Sequence, residues 1–141
     1  MKFDLASNLH PVRAISPVSV SDDTAQVSQI IDTQGFASLA FVILTGALGD
    51  ADATFAVLVE HGDQSGLADA AAVPDAELIG TEALAGFAFN DDDETRKIGY
   101  VGTKRYARLT VTPSANGAAA FVVAVALLGH PHVAATVNPP V

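Results

Sequence analysis

Two runs in this sequence are apolar on both of their alternating faces, and they constrain the fold more than any other feature. In 118–128, AAAFVVAVALL, the residues Phe121, Val123, Val125 and Leu127 fall on one side, and Val122, Ala124, Ala126 and Leu128 on the other. The run 36–45 repeats the pattern, with Leu39, Phe41 and Ile43 opposite Ala40, Val42 and Leu44. A strand in a two-layer sandwich has one inner face only. The second face of each run therefore needs a cover, either a loop or arm of the same chain or another subunit. Large apolar patches left in the open usually mark association. Composition points the same way, because only 16% of the residues are charged, against roughly 25% in an average domain.

The remaining sequence supplies the other strands. Short β-branched runs alternate with turn clusters, and no long stretch has helical period, which is the pattern of an all-β sandwich or barrel. Strands are predicted over 12–20, 26–33, 36–45, 54–61, 77–81, 85–89, 95–101, 104–112 and 118–128. Pro17 assigns the first to a sheet edge. In 54–61, Phe55, Val57 and Val59 should face the core. One helical turn is expected in SGLADAAA, within the loop 62–74. Eight or nine antiparallel strands fit a jelly-roll-like β-sandwich. An immunoglobulin-like sandwich lacks support, with no Cys…Trp…Cys spacing in a chain that has neither residue. The sequence reads as one domain, 1–141, with extended arms at about 1–12 and 131–141. The start, MKFDLASNLHPV, lacks the apolar run of a secretory signal, and 118–129 is too short for a membrane span. A soluble protein, kept in a cytoplasm or an assembly, is the expectation.

Charge is unevenly placed. Residues 1–94 hold all sixteen carboxylates and two basic side chains, while 95–141 hold five basic side chains and no carboxylate. YVGTKRY suggests a hairpin turning at Gly102-Thr103, glycine first as a type II′ turn prefers. That register sets Lys97 opposite Arg108 and places Lys97, Lys104, Tyr106 and Arg108 on the outer face. Like charges so placed repel unless carboxylates lie beside them. Those carboxylates are either Asp91, Asp92, Asp93 and Glu94 of the same molecule or an acidic patch on a partner. The predicted partner-binding residues are thus Lys97, Lys104, Tyr106 and Arg108, with Val122, Ala124, Ala126 and Leu128 as the uncovered strand face. Nucleic acid is not an expected partner, because three cations and one aromatic are a thin platform on an acidic chain.

Chemistry-bearing motifs are sparse. His130-Pro131-His132, or His61 with Asp63, could offer metal ligands, but ordinary loop roles explain them. Asp50-Ala-Asp52 and the 91–94 run lack the spacing of an EF-hand and read as solvated turns. There is no GxSxG, P-loop or dinucleotide fingerprint. No catalytic residue, metal or cofactor is expected, and the chain is read as a non-enzyme.

The block KIGYVGTKRYARLTVTPSANGAAAFVVAVALLGHP, 97–131, resembles a segment of the capsid cement, or decoration, proteins of tailed bacteriophages, that of a Bordetella bacteriophage among them. There a basic Y-x-G-x-K-R-Y-x-R stretch precedes a PS-x-N-G turn and an alanine-rich strand. The resemblance implies a jelly-roll subunit on the outside of a phage head that bridges and stabilises major capsid protein subunits. It also implies a homo-oligomer, as a dimer, located on the virion surface and without catalytic residues. The competing readings are a carbohydrate- or receptor-binding virion module and a tail or head–tail connector component.

Overall fold

The computed structural model describes residues 1–140. Among them the chain forms eleven strands: β1 (Leu9–Val20), β2 (Gln26–Val27), β3 (Ile31–Asp32), β4 (Phe36–Leu48), β5 (Thr54–Gly62), β6 (Ala71–Ala72), β7 (Leu78–Ile79), β8 (Phe87–Ala88), β9 (Thr95–Tyr100), β10 (Tyr106–Ser114) and β11 (Ala120–Pro131). Two 3-10 turns, Ala6–Asn8 and Asp75–Glu77, and one α-helical turn, α1 (Glu82–Ala85), accompany them, with the Thr81 hydroxyl accepting from Leu84 N–H at 3.1 Å as the N-cap of α1. One sheet has the order β1-β11-β4-β9-β7. The other runs β2-β10-β5-β6, with β3 also on β10 and β8 on β5. The pairings are antiparallel, and the two sheets stack as a jelly-roll-like sandwich.

Local differences from the sequence expectations have local causes. β1 is the edge strand that Pro17 predicts, and its register shifts on either side of Ile15. It starts at Leu9, so the N-terminal arm is shorter than expected. The 26–33 run is split into β2 and β3 because Ser28 leaves the ladder, its hydroxyl accepting from Leu109 N–H at 2.9 Å. SGLADAAA forms no helix; its alanines Ala71 and Ala72 make β6 instead. The terminal segments rest on each other, Thr136 N–H donating to the Ser7 carbonyl at 2.9 Å and the Thr136 hydroxyl to that of Leu9 at 2.8 Å.

The expected basic hairpin does not form. β9 pairs with β4 and β7 in one sheet, whereas β10 pairs with β5, β2 and β3 in the other. Residues 101–105 are a crossover between layers. Gly102 lacks the positive φ of a type II′ turn; among the described glycines that conformation belongs to Gly35 and Gly80. Gly102 is needed for another reason. A Cβ there would lie 2.4 Å from Glu77 Oε2 and 2.5 Å from the Tyr100 ring. Tyr100 is buried, and its hydroxyl accepts from Lys104 N–H at 3.0 Å, which bends the crossover around it. Ile98 and Leu109 thereby enter the core from opposite sheets, each almost fully buried.

One core fills the space between the layers. Phe55, Val57 and Val59 of β5 face it as the alternation predicts. On the five-stranded sheet, large residues of β4 lie in register with small ones of β11: Phe41 with Ala126, and Ile43 with Ala124. Large beside small is how facing positions fill a core at native density. Phe41 is completely buried at its centre. Phe41→Ala should lower unfolding free energy by about 3–5 kcal/mol, measurable as a reduced urea midpoint at unchanged slope.

Candidate functional site

The pairing of large β4 residues with small β11 residues decides which side of β11 is inside. Val122, Ala124, Ala126 and Leu128 are core residues at 0–3% exposure. Their expected role as a partner-binding face is therefore corrected. The open side is the other one. Val123, Val125 and Leu127 are half-buried, and Phe121 is half-exposed at 50%. On β4 the open side carries Ala40, Val42 and Leu44, the last at 42% exposure.

These side chains form rows across the sheet. Pro11, Leu127, Ala40, Gly99 and Ile79 are in register across all five strands. The next row is Arg13, Val125, Val42 and Lys97. Val123, Leu44 and Thr95 follow. Phe121 lies over Gly46, where a Cβ would come within 3.0 Å of the Phe121 Cβ. A shallow hollow of about 460 Å³ opens between β1 and β4, lined by Pro17, Val18, Leu44, Phe121 and Val123 among others. A second, of about 480 Å³, opens between β4 and β7, with Ala40, Ile79, Leu84 and Lys97 in its wall. Ile79 and Leu84 there are 63% and 72% exposed. The result is a broad apolar surface with polar groups at its margins, the composition of an association face.

The outer side of the six-stranded sheet is mixed, with Val27 and Leu58 exposed beside charged and hydroxyl groups. β5 and β10 present Glu60 opposite Arg108, with Arg108 Nε donating to Glu60 Oε1 at 3.0 Å. This pair and three others resolve the clustering of positive charge. Arg96 reaches Asp91 at 3.1 Å and Glu94 at 2.5 Å; Lys104 reaches Asp63 at 2.5 Å. Arg105 holds Asp32 through two bonds of 2.9 and 2.8 Å. Carboxylates of the same molecule meet four of the five cations, but only Arg96 uses the expected 91–94 run, and Asp63, Asp32 and Glu60 serve the others. Lys104 and Arg108 are thus internally neutralised, and Tyr106 lies on the six-stranded sheet, away from Lys97 on the five-stranded one. The four do not form the shared surface that the hairpin register implied. Among the described residues, the strand cations Arg13 and Lys97 have no carboxylate within ion-pair distance, and both margin the apolar face.

The titratable groups elsewhere have structural uses. His61 Nδ1 is 3.0 Å from the Tyr100 hydroxyl and 3.6 Å from Glu77 Oε2, inside the crossover. Burial pushes the Tyr100 phenol above its ordinary pKa. His61 thus meets Tyr100, whereas Asp63 holds Lys104. His130 Nδ1 meets the Ser38 hydroxyl at 2.9 Å. The aspartates of the turns accept backbone N–H groups: Asp50 from Asp52 at 2.9 Å and Gly117 at 2.7 Å, Asp92 from Leu48 at 2.9 Å.

Two comparisons by sequence find nothing: no family model matches, and no curated protein matches. Among solved structures, the chain is similar to the PBSX exported protein XepA, with 15% identity and a TM-score of 0.52. That match covers 93% of this chain but 40% of XepA. It is also similar to the xylan-binding module CBM15, at 9% identity and a TM-score of 0.43, covering 94% of this chain and 97% of the module. A Bacillus endospore appendage chain matches at 11% identity and a TM-score of 0.41, over 92% and 96% of the two chains. At such identities the likeness is one of fold.

Two outcomes follow from this geometry. Ala124→Asp buries an unpaired charge and should cost about 3–5 kcal/mol or prevent folding, while Val125→Asp, one residue away on the open face, should cost about 1 kcal/mol; thermal melting separates them. Acid stability depends on turn aspartates such as Asp50, whose carboxyl the Asp52 and Gly117 N–H groups hold below the ordinary 3.8. A folded pKa lowered in this way gives stability that is complete above that value and is lost as pH falls through the folded pKa. Asp50→Asn should therefore narrow the difference in melting temperature between pH 7 and about pH 3.

Proposed function

We propose that this protein is a structural virion subunit that attaches to the outside of a tailed-bacteriophage head and bridges major capsid protein subunits. The observation that carries the reading is the open apolar face of β4 and β11, where Leu44 and Phe121 remain exposed. The 97–131 resemblance to cement proteins supports it, and those residues are β9, the crossover, β10 and β11, so they help build that face.

The mechanism is mechanical. A stiff sheet, paired on both sides of β11 and β4, presents side chains in fixed rows and loses little conformational freedom on docking. Each subunit contributes modest burial. Repetition over a symmetric lattice, with each copy held to more than one neighbour, converts weak contacts into tight retention by avidity. The shell then resists expansion and disassembly because many contacts must break together.

Purified protein added to heads that lack it should bind saturably and raise the temperature at which they rupture. Leu44→Asp with Val123→Asp, in the row that holds no cation, should weaken that binding about 100-fold, since each sets a charge in an apolar contact. Heads that tolerate heat and chelator equally well with and without the protein would refute the reading.

A further inference from the structure

We infer that the open face of the five-stranded sheet is matched to a different protein, one whose apolar docking surface carries two carboxylates set to meet Arg13 and Lys97. This rests on the reading of that face as the attachment surface, and it names the chemistry of what attaches.

Three observations converge. The first is the placement of the free cations. Arg96, Lys104, Arg105 and Arg108 each meet a carboxylate of their own chain. Arg13 and Lys97 meet none among the described residues, and both lie in one register row with Val125 and Val42 between them. Arg13 makes one side-chain bond, to the Ser16 hydroxyl at 2.5 Å. Three inter-strand spacings separate the two cations, roughly 14 Å along the row.

The second is an absence in the sheet itself. The chain has sixteen carboxylates. None falls in β1, β4, β7, β9 or β11. The outer face of this sheet is thus a positively marked apolar plate on a molecule of net charge −9. Charge complementarity fixes the orientation of docking and rejects wrong partners.

The third concerns a second copy as occupant. A two-fold interface brings a patch against itself. An axis through the middle of the row, running along it or across it, sets cation against cation. With no carboxylate on the sheet, four cations would then be desolvated without a counter-charge, which is costly. A dimer of this chain therefore uses another surface. An anionic lipid or nucleic acid would meet two cations on a strongly acidic body, which disfavours approach.

Binding to heads that lack the protein is measured against salt for wild type and for Arg13→Glu with Lys97→Glu, both exposed positions. The double variant should bind on the order of 100-fold more weakly, about tenfold per reversed charge. Wild type that binds while the double variant binds within twofold would overturn the charge match and leave the capsid reading standing. Heads that bind neither protein would end the capsid reading, and self-association then decides the charge match. Arg13→Glu alone makes the two ends of the row opposite in sign, so the face becomes its own complement. In low salt this variant should sediment as a dimer at concentrations where wild type shows no self-association through the face. Failure of the variant to self-associate, or a wild-type dimer that Val125→Asp dissolves, would overturn the inference whatever the heads do. So would binding of wild type to anionic vesicles.

Discussion

The structure depends on a division of volume along one pair of strands. β4 brings Leu39, Phe41 and Ile43 into the core, and β11 answers with Leu128, Ala126 and Ala124 in register. The interior between two sheets is about 10 Å thick, and it cannot take large residues from both strands at every level. Once the alanines are inside, strict alternation sends Val123, Val125 and Leu127 outward. The open apolar face is thus a consequence of how the core is filled. It also explains why the apolar residues of this face lie in adjacent register rows rather than singly.

Charge reinforces the same asymmetry. The six-stranded sheet carries a cross-strand ion pair, Arg108 with Glu60, and Arg105 is held by Asp32 at its edge. Exposed pairs of this kind contribute only about 0–1 kcal/mol each. Their larger effect is to neutralise the basic stretch locally, so that this side of the molecule offers no cationic patch. The five-stranded sheet has no carboxylates and keeps two uncompensated cations on its outer row. The two outer faces therefore differ in charge: one pairs its cations internally, and the other has cations but no carboxylate.

Much of this was legible in the sequence, and the limits have physical causes. Alternation identified the sandwich and the inward set on β5, and Pro17 the edge position of β1. It also showed that two strands were apolar on both sides. It could not say which side of β11 was inner, because Val and Ala on either face satisfy the same pattern. That choice is made by Phe41 and Ile43, residues 80 or so positions away in the chain. Gly102-Thr103 reads as a turn because glycine permits one. In the folded protein its missing Cβ makes room for Glu77 and Tyr100, a requirement set by packing across the crossover. The ion pairs were half visible. Arg96 uses the adjacent acidic turn, whereas Asp63 and Asp32 reach Lys104 and Arg105 from 41 and 73 positions away.

The chain leaves the outer side of β4 and β11 open, and the proposed function has a shell cover it. Since the protein has no cysteine, single cysteines at Val42 and Val125 are clean probes of that face. Their rate of alkylation, free and on assembled heads, tests the claim most directly. The account predicts rapid modification in the free protein and strong protection on the particle, with a cysteine at Thr112 on the opposite sheet reactive in both. Protection in the free protein, or equal reactivity of all three sites on the particle, would contradict it.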